Sequence, residues 1–596
     1  MISADRGTPA EEYRRRLDLR EAAAAQHEKQ HQTVGRLRLA TFAAAAAAAW
    51  LSLQANVISP WWLLVPLALF IALIVRHARV RKRLAAARRA AAFYSRGIAR
   101  IEDRWHGHGA LGTRFEDPHH VYAADLDLFG EGSLFELLCT ARTRMGERAL
   151  AEWLLAPADA GEIRERQAAA RDLRERLDLR ETWTVIGDGD IRVHPDPLRD
   201  WAEAPNRLDR KWIAGAAWGT PILVAGTATA WSMTGLATPF VLALVAAVAF
   251  ARWLRAPVHD ILHRIENGSG DLKLLTALTE MLEAEQFTAS WLRGRTDRLH
   301  EDLRASRALN GLATVVHLSE SRENPILKFL DIPLAYSVHA ALAAERWRSA
   351  HGHRVRGWLE AIAELEALMS IAAYSYEHPD DAFPELVEGP ATFVGTDLGH
   401  PLMPDAKCVR NDVTLADPVR ALLISGSNMS GKSTLLRTVG INTVLAMAGA
   451  PARARSLRLT PLQVGASIRI NDSLHEGASR FYAEITRLRQ LHELSGRSPP
   501  LLFLLDELLQ GTNSQDRRIG AEGLLRSFLD RGAIGLVTTH DLRLTEIVTE
   551  DGRRLRNMHF QEEIVDGRMT FDYKLGDGPV TKSNGLELMR AIGLDV

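Results

Sequence analysis

Residues Leu39 to Val75 contain no Asp, Glu, Lys or Arg, and neither do Trp212 to Ala251. In a chain with 25% charged residues, gaps of 37 and 40 positions are far outside chance. A membrane-spanning helix needs about 20 apolar residues, so each gap is about two spans long. Each also breaks near its middle, at Gln54-Ala55-Asn56-Val57-Ile58-Ser59-Pro60 and at Ser232-Met233-Thr234-Gly235, with Pro239 soon after. The pattern predicts two helical hairpins with spans near 38–56, 59–75, 212–232 and 236–253.

The flanks agree. Arg36 and Arg38 precede the first pair and Arg76, Arg79, Arg81, Lys82 and Arg83 follow it; Arg207, Arg210 and Lys211 precede the second, and Arg252 and Arg255 follow. Both turns are uncharged, so the positive-inside rule puts the flanks in the cytoplasm and the turns outside. Trp61, Trp62 and Trp231 fall by the outer turns, Trp212 and Trp253 at the inner ends, as in an aromatic belt. The competing expectation is a pair of buried helical hairpins in a soluble protein, and the short, alanine-rich first pair is the weaker case. A cleavable signal peptide is not expected, because no small-residue cleavage pattern precedes a mature domain.

With 596 residues the chain has room for about three to five structural units. Its 73 basic and 74 acidic residues nearly cancel, which excludes a globally basic DNA-coating protein but not a local basic surface. Cys139 and Cys408 lack partners at metal-ligand or disulfide-framework spacing and read as ordinary thiols. Nine Lys/Arg and no acid lie between Arg76 and Arg100. Beside a membrane they suit anionic lipid; DNA phosphates or a solvated helix face are the alternatives.

The chemistry-bearing motifs lie downstream. The apolar run Ala421–Ile424 precedes Gly426-Ser427-Asn428-Met429-Ser430-Gly431-Lys432-Ser433-Thr434 and a helical pattern, which is GxxxxGK[ST] in a strand–loop–helix context. The glycines let backbone N–H groups turn toward phosphate at a helix N-terminus. Lys432 is expected at the β- and γ-phosphates and the Ser433 hydroxyl on Mg²⁺. Leu501–Leu505, too short for a helix, reads as a strand buried on both faces, ending in Asp506-Glu507. Asp506 is assigned to Mg²⁺, directly or through water, and Glu507 to activating the attacking water as general base. A third strand, Ile534–Thr539, ends at His540, placed to sense the γ-phosphate.

These residues resemble the MutS family of DNA mismatch-repair ATPases, relatives of the ABC ATPases. The phosphate loop with its Asn428-Met429 pair is similar to that family's. So are Ser479-Arg-Phe-Tyr-Ala-Glu484, Gly511-Thr512-Asn513-Ser514-Gln515-Asp516, Thr539-His540 and Thr581-Lys-Ser-Asn-Gly-Leu586. Gly399-His400-Pro401-Leu402 and Asn411-Asp412 resemble its lead-in strands. A second block, Thr143–Pro157 with Ile163–Gln167, resembles the family's helical core.

The resemblance implies a multidomain protein. A C-terminal α/β P-loop ATPase domain of the ABC type is joined to an all-α core and lever region, to which the charge-free runs, not the resemblance, add two transmembrane helical hairpins. The expected division is a cytoplasmic N-terminal helix (1–37), hairpin one (38–75), a MutS-like helical core (76–211), hairpin two (212–253), a lever-like helical region (254–385) and the ATPase domain (386–596). It further implies ATP and Mg²⁺ as cofactors and a head-to-tail homodimer, with Ser479 of one subunit completing its partner's site and Asn513 in the loop crossing the interface. ATP would bridge the two domains where ADP bridges them less well, giving a nucleotide-gated clamp.

The chain departs from mismatch readers. Nothing before residue 110 carries their Phe-x-Glu wedge, and Phe383-Pro-Glu385 lies beside the ATPase, where it is a coincidence of letters. Region 254–375 is too short to hold both a lever and a separate DNA clamp with ease. Three functions follow in order: a membrane-anchored ATPase gating on mismatched or branched DNA at the inner membrane; the same machine acting on a protein or other non-DNA partner; and an ABC-type transporter. The third is disfavoured because four spans make a thin pathway and neither hairpin carries an intramembrane charge, and because the signature segment lacks a Leu-Ser-Gly-Gly pattern. Within 254–375, Leu272, Leu275, Leu278, Met281 and Leu282, then Leu359, Ile362, Leu365, Leu368 and Met369, predict packed helices. Ser-Ala-His351-Gly-His353-Arg suits a turn, and Met558–Val565 with Met569–Leu575 suits a strand hairpin around Asp566-Gly567.

Overall fold

Thr8 and Glu11 close a reciprocal capping box, Thr8 N–H donating to the Glu11 carboxylate at 2.8 Å. From there the computed structural model runs as one helix, α1 (Pro9–Leu53). It describes residues 7–54, 59–187, 196–208, 211–266, 269–300, 303–321, 331–427, 430–469, 480–510, 513–550, 553–565 and 568–580. α2 (Leu64–Ile101) returns alongside α1. The two helices pass through the charge boundaries at Arg38 and Arg76 without interruption, so each charge-free run is one end of a much longer rod. Part of the intervening turn, 55–58, lies outside the described residues.

Their inner ends pack on the helical region. Tyr13, Phe93, Tyr94, Ile98 and Leu177 form an apolar cluster, and the Arg100 guanidinium clasps Glu377 with bonds of 2.6 and 2.5 Å. Arg88 pairs with Glu28 at 2.7 Å, while Arg89 donates to the carbonyls of Val185 and Gly187 at 2.8 and 2.7 Å. The basic stretch therefore divides. Arg76, Arg79, Arg81, Lys82 and Arg83 lie exposed near the apolar end, whereas Arg89 and Arg100 are built into the fold and Arg88 makes an exposed ion pair with Glu28.

Helix α3 (Arg144–Leu155) begins at Thr143, whose hydroxyl accepts from Gly146 N–H. α4 (Lys211–Thr234) and α5 (Thr238–Glu266) are joined at Gly235, whose φ of +73° turns the chain. Trp212 stacks on Trp253 at 5.3 Å at one end of the pair, and Trp231 on Phe240 at 5.4 Å at the other. α1, α2, α4 and α5 are long and apolar enough to cross a membrane by length and composition, and their most apolar windows are only 11–22% buried.

Further along the chain, α6 (Tyr336–Glu377) is second in length only to α1 among the described helices and forms the spine of the helical region. It corrects the turn expected at His351-Gly352-His353, which lies inside the helix. Gly352 is small because the Ala202 carbonyl approaches it: a Cβ there would lie 2.5 Å from that oxygen. Helix α6 ends at Glu377, the residue clasped by Arg100, and the chain then enters the α/β domain.

That domain holds two sheets. The strands are β1 (Glu385–Leu386), β2 (Phe393–Leu398), β3 (Asn411–Leu415), β4 (Ala421–Ser425), β5 (Ser456–Leu459), β6 (Gln463–Ser467), β7 (Leu501–Leu505), β8 (Ile534–Thr539), β9 (Leu555–Val565) and β10 (Arg568–Asp577). The smaller sheet has order β1-β5-β2-β3 and the larger β10-β9-β4-β8-β7-β6. In the larger sheet β6, β7, β8, β4 and β9 run parallel, and β10 pairs antiparallel to β9. Helices α7 (Lys432–Ala448), α8 (Arg480–Leu494) and α9 (Ser514–Asp530) cover it. The continuous apolar run of β7 has a simple cause. Leu502 and Leu504 enter the core shared with the helical region, while Leu501, Phe503 and Leu505 enter a second core with Leu525 and Phe528 of α9.

Candidate nucleotide site

Parallel strands β4, β7 and β8 end on one edge of the sheet, so Gly426, Asp506 and His540 start from neighbouring positions. Such an edge is where open α/β folds bind ligands. The loop after β4 begins at Gly426 and ends at Gly431, whose φ of +100° is left-handed. Lys432 opens α7 and folds back, its ammonium donating to the carbonyls of Gly426 at 2.9 Å and Ser427 at 2.7 Å. Burial pushes that ammonium below its usual range, while Glu507 and Asp506 oppose the shift. The hydroxyls of Ser427 and Ser430 are buried and have no hydrogen-bond partner among the described residues. Together with the helix N-terminus, these unmet donors suit an anionic, oxygen-rich group. Thr434 follows on the first turn of α7 and lines the adjoining cleft. Asn428 and Met429 lie outside the described residues.

On the opposite wall, Ser433 Oγ donates to Asp506 Oδ2 at 2.5 Å. The other Asp506 oxygen accepts from Thr538 Oγ1 at 2.5 Å, and Thr538 Oγ1 in turn accepts from Glu507 N–H at 2.9 Å. Thr538 thus fixes both acids at the end of β7. A hydroxyl and a carboxylate side by side form an all-oxygen donor set, the kind that holds Mg²⁺ alongside substrate phosphates.

Glu507 adopts a left-handed backbone, φ +52°, which turns its carboxylate toward the cleft. Its carboxylate accepts from the Gln510 amide and lies 3.8 Å from His540 Nδ1. Lys432, Ser433, Asp506, Glu507 and His540 are therefore brought together. Glu484, from the stretch matched to the family signature, is buried and accepts from Leu509 N–H at 2.6 Å, tying α8 to the segment after Glu507. Asn513 is different. It caps α9, accepting from the N–H groups of Gln515 and Asp516 at 3.1 and 2.9 Å, and its amide donates to Asp516 at 2.7 Å. Ser479, Gly511, Thr512 and the closing segment Thr581–Leu586 lie outside the described residues.

The cleft measures about 680 Å³ and is lined by Lys432, Ser433, Thr434, Glu507, Asn411 and Tyr573, among others. Sequence reasoning did not single out Tyr573, Thr538 or Gln510. Tyr573 sits in a bulge of β10 with φ +55°, and its ring would stand 3.1 Å from a Cβ at Gly431. Asn411 of β3 holds the bulge by donating to Tyr573 O at 3.0 Å and accepting from Leu575 N–H at 2.9 Å. A Thr at the end of an otherwise apolar buried strand was a usable signal for Thr538; a bulge made by two sheets meeting leaves none.

Comparison with known proteins locates the relationship. Residues 422–595 match the family model described as MutS domain V. A Thermus thermophilus protein named Endonuclease MutS2 is 38% identical over 180 residues, covering 30% of this chain and 23% of that protein. A Halobacterium salinarum protein named DNA mismatch repair protein MutS 2 is 34% identical over 252 residues, 40% of this chain and 28% of the relative. A Brevibacillus brevis protein named DNA mismatch repair protein MutS is 31% identical over 264 residues, 43% and 30% respectively. The chain thus spans less than a third of the length of each of these curated relatives.

Proposed function

This chain belongs to the MutS family through its C-terminal domain, and from that premise we propose that it is a membrane-anchored, Mg²⁺-dependent ATPase. Two ATPase domains pair head to tail and gate a clamp on DNA, with mismatched or branched duplex as the preferred class. The observation that supports this most strongly is the convergence of Lys432, Ser433, Asp506 and Glu507 at one sheet edge beside buried, unpartnered loop hydroxyls.

The division of labour follows from the chemistry. The loop from Gly426 to Thr434 cradles the phosphates. Lys432 releases the loop carbonyls to meet the β- and γ-phosphates, so its present hydrogen bonds keep it ordered for that exchange. Ser433 and Asp506 hold Mg²⁺, which supplies charge neutralisation on the phosphates when bound. Glu507 takes the proton of the attacking water, and His540, within reach of Glu507 through Gln510, registers the γ-phosphate. Ser479 completes the partner's site, and Asn513 lies in the crossing loop. In this proposal α1, α2, α4 and α5 span the inner (cytoplasmic) membrane, with the remaining domains in the cytoplasm. The exposed arginines from Arg76 to Arg83 then lie at the lipid headgroups.

A second occupant of the clamp, a protein, is favoured by one feature: Arg88, Arg89 and Arg100 are engaged within the fold and leave the most basic stretch with fewer charges for DNA. Detergent-solubilised protein separates the two. ATP turnover is measured with no DNA, homoduplex and mismatched duplex across a salt series. A DNA clamp shows stimulation or binding that falls steeply with salt; indifference to every duplex overturns the DNA assignment and favours the protein partner.

A further inference from the structure

The segment 118–127 leaves the helical region and lies across the α/β domain. Val121 O accepts from Ala466 N–H of β6 at 2.8 Å. Asp125 is 2% exposed, and its Oδ1 accepts two backbone N–H groups, Ile468 at 2.8 Å and Arg469 at 2.6 Å, where β6 ends. Asp125 O accepts from Arg437 Nε of α7 at 3.0 Å. Asp127 pairs with the Arg469 guanidinium at 2.5 Å. Leu126, fully buried, packs on Gly440 of α7, where a Cβ would lie 2.7 Å from its methyl. On the far side Arg487 of α8 donates to His120 O at 2.8 Å.

One short segment of the helical region therefore grips three things: the helix that opens with the phosphate loop, the exit of β6, and α8. The stretch from 470 to 479 joins the last two. A buried carboxylate oxygen that takes two main-chain N–H groups fixes both, because either N–H left unpaired in the interior is costly. α7 begins at the proposed phosphate loop, so a displacement of α7 would pass through Arg437 to the Asp125 main chain and from there to the β6 exit.

We propose that Asp125 is a positioning residue for hydrolysis: its carboxylate locks the helical region to the end of β6 while its main-chain carbonyl holds Arg437 of α7, so that with the carboxylate in place nucleotide state moves them as one unit. This rests on the ATP-site assignment above. Two discrete arrangements biased by nucleotide are what such coupling requires, so the test reads nucleotide-dependent differences rather than stability. In the full chain, Asp125→Ala and Asp125→Asn are compared with wild type for fluorescent-ATP affinity, kcat, and the ATP-minus-ADP difference in hydrogen exchange over residues 121–155. The expected Asp125→Ala protein binds ATP within about threefold of wild type, loses tenfold or more in kcat, and loses the exchange difference. Asp125→Asn, which keeps an acceptor oxygen, recovers kcat to within about threefold. An Asp125→Ala protein with wild-type kcat and exchange difference overturns the coupling alone. So does a loss of kcat that only tracks lost ATP affinity and that Asp125→Asn fails to rescue. A wild-type chain that binds no ATP overturns the site assignment beneath it.

Discussion

His400 makes the α/β domain acid-sensitive by an amount that can be worked out. It lines the cleft that also holds Lys432 and is 8% exposed, with its Nδ1 accepting Leu402 N–H at 3.2 Å. Burial, with Arg437 and Arg453 adding to it, pulls its pKa down from 6.5 to about 4. The sign follows. The unfolded chain takes up a proton near pH 6.5 while the native site resists it until about pH 4. The stabilising contribution is thus complete above 6.5 and is lost as the pH falls through that window. At 1.36 kcal/mol per pH unit, the difference between pH 7.5 and pH 5.0 is about 2 kcal/mol, and it approaches about 3 kcal/mol near pH 4. Urea unfolding followed by circular dichroism in detergent, for wild type and His400→Asn, measures it. Asn keeps an acceptor for Leu402 N–H but does not titrate. The wild type is expected to lose about 2 kcal/mol more than the variant between those pH values. Equal losses in both proteins refute the buried neutral imidazole.

Other expectations are as direct. Gly440→Val places side-chain atoms against Leu126 and Leu504, each already 2.7 Å from a bare Cβ; it costs about 1–3 kcal/mol of stability, seen as a lowered melting temperature. With Asp506 on Mg²⁺ as proposed, Asp506→Asn is expected to raise the Mg²⁺ concentration for half-maximal turnover at least tenfold. A cysteine at Ser59, in the turn proposed to lie outside, is expected to label with an impermeant maleimide in intact cells; labelling only after the membrane is opened overturns the hairpin topology.

Much of this was legible in the sequence, for identifiable reasons. β4, β7 and β8 are covered on both faces, so they appear as uninterrupted apolar runs with polar chemistry at their C-terminal ends. Strands β9 and β10 pair where their pattern places them, while Asp566 and Gly567 between them lie outside the described residues. What stayed hidden arises where distant segments meet. Charge marks where α1 and α2 would cross a lipid boundary, but helical hydrogen bonds ignore that boundary, so the rods continue well beyond it. His351-Gly352-His353 looked like a turn because glycine also serves close approach, here to the Ala202 carbonyl. Arg88, Arg89 and Arg100 counted as free positive charge until their partners Glu28, Val185, Gly187 and Glu377 came from elsewhere in the chain. Thr538, Tyr573 and Asp125 act through contacts that no local pattern encodes.

The central proposed step is ATP hydrolysis directed by Glu507. Single-turnover hydrolysis of radiolabelled ATP, together with filter binding, on wild type and Glu507→Gln tests it most directly. The prediction is unchanged ATP retention and at least a hundredfold slower phosphate release in the variant, since a base contributes on the order of 10²–10⁴ in rate. Equal rates in the two proteins, or no ATP retained by either, would contradict it.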